Sequence, residues 1–401
     1  MTSWMTHARE NTLSDSKGVS SLTNIPEDIL SAKNTSHSNE NIYPANIFLN
    51  GRFVSQSVTG VQRYAHEVTS QINKIALKGN TDVTVCLPAN ASDFKIYNYA
   101  KFRKSHFASG YLWEQVVLPF LATGPLLNLC NLAPVLKRKQ ITCIHDANVF
   151  IAPQSYNRGF RIFYTTLLPL IAKRSQLVTT VSKFSATQIS KYFGISSSKI
   201  SVLPNGHEHV FKWNARRSIL FDQILNSRPY VLLLGSRAVH KNMSLIFSLA
   251  KRLDAIGLDI RVTGSTSGIF ADASSNVASA YKNIIAMGHV SDDDLAVLFS
   301  NALCLTFPSI TEGFGIPIIE AMALGCPVVS SNAASMPEVC GDAALLAAPD
   351  DQELWFRHIQ SLHTSKELSL QCIERGQQQI KNFSWKETAI GYLNLINQNF
   401  S

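Results

Sequence analysis

Residues Pro308 to Ser331 read PSITEGFGIPIIEAMALGCPVVSS, and this stretch decides the fold. Ile310 to Gly315 hold two glycines and an acid, Pro317 stands where a first-turn proline is tolerated, and Ile318 to Leu324 favour helix. Gly325 and Pro327 end that helix, and Val328 and Val329 begin a buried strand. A Gly-rich loop feeding a helix N-terminus, followed by a strand, belongs at the edge of an α/β sheet. Such a terminus binds anions. Free N–H groups and the positive end of the helix dipole favour a phosphate, and glycines let backbone approach it without a Cβ in the way. The backbone of Gly313, Phe314 and Gly315 is therefore a candidate phosphate cradle.

The two acids of the stretch read differently. Glu312 lies in the loop, and Glu320 lies inside the helix eight positions later. The spacing aims both carboxylates at the sheet end where a ligand lies, one near the reacting group and one able to accept paired hydrogen bonds from vicinal hydroxyls such as those of a ribose. Ordinary helix capping is the competing reading of Glu320.

Outward from this stretch, strands and helices alternate. In the first half, strands are expected at Ile47 to Asn50, Val83 to Leu87, Leu126 to Cys130, Ile141 to Ile144, Leu177 to Val181 and Ile200 to Leu203. Gly60 opens a helix whose face is marked by Val61, Tyr64, Ala65, Val68, Ile72 and Ile75, and a second helix runs from about Tyr156 to Lys173. The rhythm restarts with strands at Tyr230 to Gly235, Leu258 to Thr263, Ile284 to Met287, Ala302 to Phe307 and Val328 to Ser330, and a helix from about Asn242 to Ala255. This predicts an α/β protein of two Rossmann-like domains facing across a cleft. The expected divisions are a disordered polar extension at 1–44, a first domain at 45–205, a second at 206–383 and a last helix at 384–401.

Net charge is +8, but its distribution is uneven: residues 1–205 hold 21 Lys and Arg against 10 Asp and Glu, residues 206–401 hold 15 against 18. A basic first half suits an anionic membrane surface or a phosphorylated substrate, with short clusters at Lys101 to Lys104 and Lys137 to Lys139. No zinc-finger or RNA-binding signature accompanies them, so no nucleic-acid partner is expected. Seven scattered cysteines, without a CxxC pair or a His cluster at metal spacing, read as reduced core thiols of a cytoplasmic protein with no metal site. Val116 to Leu136 is uncharged over 21 residues, the length of a membrane span, but Pro119, Pro125 and Pro134 with Asn128 and Asn131 argue for a short helix ending near Leu121 and a buried strand near Leu126 to Cys130 instead.

The Glu312 to Val329 stretch resembles the glutamate-x7-glutamate signature of retaining glycosyltransferases of family 4, with their GT-B fold, and the resemblance extends in order from about residue 46 to the end. Thr59 to Tyr64 (TGVQRY), Tyr111 to Gln115, Thr180 to Ser185 and Pro204 to Gly206 are similar to further blocks of that family. The resemblance implies a nucleotide-sugar donor whose diphosphate meets Lys241, Arg237 and the 313–315 backbone, with Glu320 on the ribose and Glu312 on the sugar hydroxyls. It places Gly60 and His145 on the site from the first domain, Val290 in a loop whose backbone reads the base, and the last helix, 384–401, crossing back onto the first domain. Arg commonly precedes the lysine in the family, where this chain has His240. Asp292 to Asp294 open an amphipathic helix and read as capping acids rather than a metal site. The implied activity is hexosyl transfer, with mannose from GDP-mannose as the first expectation, to a saccharide or lipid-linked saccharide acceptor in polysaccharide or lipopolysaccharide assembly, without a cofactor. An epimerase or phosphorylase on the same fold, and a non-catalytic nucleotide-sugar-binding protein, are the alternatives.

Overall fold

The described strands form two parallel sheets, each with the order of a doubly wound nucleotide-binding unit. The computed structural model describes residues 46–78, 81–91, 100–236, 238–264 and 281–400, and both sheets lie in the unit Ile42–Ser401. The expected polar extension, residues 1–44, lies outside the described residues. The first sheet contains β1 (Asn46–Asn50), β2 (Asp82–Leu87), β3 (Lys101–Lys104), β4 (Leu126–Asn128), β5 (Gln140–Cys143), β6 (Leu177–Thr180) and β7 (Ile200–Val202), in the order β3-β2-β1-β4-β5-β6-β7. The second contains β8 (Tyr230–Leu234), β9 (Asp259–Thr263), β10 (Ile284–Gly288), β11 (Cys304–Phe307), β12 (Val328–Ser331) and β13 (Leu345–Ala347), in the order β10-β9-β8-β11-β12-β13. Strand order reverses between β1 and β4 and again between β8 and β11, and ligands of open α/β sheets bind outside the carboxyl ends of such strands.

Central strands β4, β5, β6, β11 and β12 are buried along their whole length, as helices on both faces of a parallel sheet require. Helix α1 (Gly60–Lys78) turns Tyr64, Ala65, Val68 and Ile72 inward at helical spacing. Residues 110–121 form α2, whose middle turn, Trp113–Val117, is π-helical. Helices α3 (Arg158–Arg174) and α4 (Lys183–Phe193) pack together behind the first sheet, and α5 (Asp292–Asn301) and α6 (Ile316–Ala323) belong to the second. The last helix, α7 (Trp385–Phe400), packs along α1. Its Tyr392 hydroxyl lies 2.9 Å from that of Tyr64 and 2.8 Å from Thr179 Oγ1, and Thr388 donates to the Pro204 carbonyl at 2.6 Å.

Several sequence expectations change. Lys101 to Lys104, read as a basic surface cluster, is the edge strand β3, and lysines on an edge discourage pairing with another chain. Its charges are partly engaged: Lys101 pairs with Asp82, and Arg103 donates to the Leu121 carbonyl at 3.0 Å and lies over the Phe48 ring. The helix expected from Asn242 to Ala255 is two pieces, Met243–Ser248 and Ala250–Ala255. Strand β13 was not expected, because Ala-Leu-Leu-Ala carries no β-branched residue to mark it. Residues 116–136 hold the end of α2 and strand β4, and no described helix is long and apolar enough to cross a membrane.

Candidate active site

A cleft of about 360 Å³ opens where the carboxyl ends of the two sheets meet. From the first domain come Gly60, Arg63, His145 and Asp146; from the second come Lys241, Glu312 to Gly315 and Glu320. The loop from β11 to α6 is built for close approach. A Cβ on Gly313 would lie 2.6 Å from the His145 carbonyl oxygen, so only glycine lets this loop rest on the end of β5. Gly315, at φ +100°, is the N-cap of α6, in a region of backbone space that favours glycine. Ser182 and Ser185, at the start of α4, donate to the Gly313 carbonyl at 2.7 and 3.0 Å, and Ser335 donates to the carbonyls of Glu312 and Phe314, both at 3.0 Å. These acceptor contacts hold the loop from behind. The Thr180 to Ser185 block thus anchors the loop across the domain boundary.

Lys241 follows β8 in a short 3-10 turn and donates to Glu312 Oε1 at 2.6 Å. Both members are partly accessible, with side-chain exposures of 28% and 12%. His240 faces the other way, its Nδ1 2.8 Å from Ser155 Oγ of the first domain. Burial lowers the His240 pKa, and the opposing pull of Glu312 does not restore it. Arg237 lies outside the described residues.

His145 is buried at the end of β5, with Nε2 2.9 Å from the Leu129 carbonyl, which can only accept. That partner puts a proton on Nε2. Tyr64 meets the ring edge-on at 4.9 Å. Burial works against charge on this ring, but the Cys143 thiol 3.7 Å away and the Leu129 carbonyl raise its pKa on balance. Asp146 does not orient the imidazole through a hydrogen bond: its Oδ1 accepts from the Asn148 N–H at 2.8 Å and so starts the next loop. Burial lifts its pKa.

Glu320 borders the cleft and is buried, with Oε1 2.8 Å from His209 Nε2 and 3.9 Å from Arg63 Nε. Arg63, one turn into α1 from Gly60, grips Asp292 with two nitrogens at 2.6 and 3.1 Å and lies over the Trp213 ring. Burial opposes its charge, yet Asp292, Glu320 and Glu67 outweigh burial and raise its pKa. Of the three acids that open α5, one caps the helix and the other two have partners outside it. Ser291 and Asp294 form a capping box, Asp293 accepts from the Asn214 N–H at 2.7 Å, and Asp292 reaches the first domain. Val290 packs against the core beside this helix and is not part of the cleft wall.

Sequence reasoning passed over Arg63 and His209. Arg63 lay in the quoted TGVQRY block, three residues from Gly60 and so on the same helix face, which was a usable signal. His209 lies in an irregular connection and carried none. Within the Tyr111 to Gln115 block the last three residues are structural: Trp113 is fully buried, Glu114 accepts from Asn50 at 2.7 Å, and Gln115 bonds the backbone of Ala133 and Val135.

Two parallel doubly wound domains whose sheet ends meet at a cleft define the GT-B fold. Two family models match this chain, one described as glycosyltransferase family 4 over residues 115–210 and one as glycosyl transferases group 1 over residues 216–379. The chain belongs to these glycosyltransferases and is an enzyme of that kind. It is 28% identical over 328 residues to the O-antigen chain mannosyltransferase RfbU of Salmonella typhimurium, covering 77% of this chain and 88% of that one. It is 29% identical over 268 residues to the O-antigen chain mannosyltransferase B of Escherichia coli, covering 64% and 69%. Among solved structures, a sucrose-phosphate synthase from Thermosynechococcus elongatus shares the fold, with a TM-score of 0.69 at 15% identity over 88% of this chain and 98% of that one.

Proposed function

We propose that this enzyme transfers a mannosyl group from GDP-mannose, with retention of configuration, to a saccharide or lipid-linked saccharide acceptor in surface polysaccharide assembly. The observation that carries the reading is the Lys241–Glu312 pair beside the glycine-lined N-terminus of α6, facing His145 across the cleft. O-antigen chain mannosyltransferases among its relatives support the choice of sugar. Lys241, Arg237 and the N–H groups of 313–315 would neutralise the departing diphosphate, whose charge grows as the glycosidic bond breaks. Lys241 would exchange Glu312 for phosphate oxygen, which frees the carboxylate for the sugar hydroxyls. His145 would approach the sugar from the first domain, and Glu320 would hold the ribose. Cationic side chains do this work without a metal ion. The test is product analysis by mass spectrometry and NMR with a panel of nucleotide sugars, with and without EDTA. Transfer from GDP-mannose, retained anomeric configuration and full activity in EDTA are expected. Nucleotide release without a glycosylated product, or EDTA loss restored by magnesium or manganese, would sink the respective parts.

Peripheral contact with an anionic membrane completes the proposal, in keeping with a lipid-linked acceptor and a cytoplasmic location. Leu112, Val116 and Phe120, four residues apart on α2, are 59%, 50% and 82% exposed, and Tyr111 beside them meets Phe163 of α3 at 5.0 Å. Residues 151–205, which include α3 and α4, hold seven Lys and Arg and no Asp or Glu. An apolar stripe beside a segment rich in Lys and Arg suits a lipid surface better than charge alone. Sedimentation with anionic vesicles should show binding at low salt that weakens but persists at about 1 M salt, where screening removes the charge component. Failure to bind at low salt would refute it.

A further inference from the structure

The C-terminal helix enters the site through a buried chain of three side chains. Trp385, His209 and Glu320 are 0%, 1% and 5% exposed. The Trp385 indole N–H donates to His209 Nδ1 at 3.0 Å, and His209 Nε2 lies 2.8 Å from Glu320 Oε1. An indole N–H is a donor only, so Nδ1 must accept and cannot carry a proton while this contact holds. The single ring hydrogen of a neutral imidazole then sits on Nε2, where it donates to the carboxylate. In the other tautomer, with the hydrogen on Nδ1, Glu320 would face a lone pair instead of a donor. Oε1 is thereby held, and Oε2 makes no hydrogen bond among the described residues, although Glu320 lines the cleft.

Trp385 is itself clamped. Its backbone N–H donates to Glu208 Oε2 at 2.9 Å, Ser384 also donates to that carboxylate, and His207 Nδ1 lies 2.6 Å from the Phe383 carbonyl. A Cβ on Gly206 would come within 2.1 Å of the Trp385 nitrogen, so the 205–209 connection and the start of α7 fit together only because residue 206 is glycine.

We propose that Trp385, through the tautomer it imposes on His209, positions the Glu320 carboxylate for the donor ribose, which makes α7 a working part of the donor site. The proposal rests on the reading of Glu320 as the ribose-binding group. Trp385 and His209 are positioning residues: they act on the ligand through Glu320.

The experiment is calorimetric titration of the full chain with GDP and with 2′,3′-dideoxy-GDP, in wild type, Trp385→Phe, His209→Leu and His209→Gln, with thermal melts as folding controls. Wild type should prefer GDP by about tenfold or more, as two lost hydroxyl contacts imply. Trp385→Phe keeps the ring but not its donor and should cut that preference by about fivefold, the worth of one hydrogen bond, while affinity for the dideoxy form stays unchanged. His209→Leu should abolish the preference. His209→Gln, whose amide can donate to Glu320 and accept from the indole, should retain most of it. Nitrogen-15 spectra of the histidine-labelled protein should show the Nε2–H form of His209. A merely structural role would weaken both nucleotides equally. Wild type that binds both forms alike would remove the ribose reading itself. A wild-type preference that survives intact in Trp385→Phe and His209→Leu, or an Nδ1–H form of His209, would overturn the relay and leave the ribose reading standing.

Discussion

Glu114 and Glu312 are both acids paired with a cation at the end of a Rossmann-like sheet, and they do different things. Glu114 is sealed in the first domain between Arg52, at 3.1 Å, and Asn50, with side-chain exposures of 8% and 2% for the ion pair. Burial lifts its pKa, and Arg52 and Asn50 offset only part of that. Glu312 has Lys241 alone for a side-chain partner among the described residues, and both face the cleft. A sealed pair specifies the scaffold, because no ligand can reach it. An open pair stores two charges that a ligand can redistribute. The difference lies in enclosure, and four substitutions or conditions test it.

The largest effect belongs to the sealed pair. Arg52→Met strands a buried carboxylate and should cost about 3–5 kcal/mol of stability in denaturant unfolding, with turnover per folded molecule unchanged. A loss under about 1 kcal/mol would erase the contrast. Next comes the open pair: Lys241→Ala should weaken nucleoside diphosphate binding by about 1.5–3 kcal/mol in calorimetry and leave the melting temperature close to wild type. Unchanged affinity in the folded variant would take Lys241 out of the donor site.

A smaller effect sharpens the idea that Glu312 competes for Lys241. Glu312→Gln removes the competing charge, so nucleoside diphosphate should bind about 1 kcal/mol more tightly while transfer of sugar falls. Weaker diphosphate binding would show that Glu312 helps hold the donor rather than the lysine. The smallest is a pH effect at His240, next to the open pair. Burial holds its folded pKa below the ordinary histidine value of 6.5, so its contribution to stability is whole above that value and shrinks as pH falls through it, when the unfolded chain takes up a proton that the folded one resists. Melting temperature should therefore decline from pH 7.5 to 5.5 less steeply in His240→Asn than in wild type. Equal slopes would locate the acid sensitivity elsewhere, with His66, whose pKa burial also lowers, as the next group to vary.

What the sequence alone determined was local. Glycine, proline and apolar runs around Glu312 and Glu320 specified loop, helix and strand, because backbone freedom, the missing proline N–H and burial on both sheet faces act within a few residues. That the cleft takes residues from after β5 and β11 followed from strand alternation and the rule for sheet ends, while those after β1 and β8 were implied by the family resemblance. Tertiary structure decided who pairs with whom. His209 and Glu320 are 111 positions apart, Arg63 and Asp292 are 229 apart, and Trp385 reaches His209 across 176. No periodicity or motif encodes such contacts, because a hydrogen bond depends on distance and direction in space, and these become set only when two sheets and the returning helix α7 have packed together.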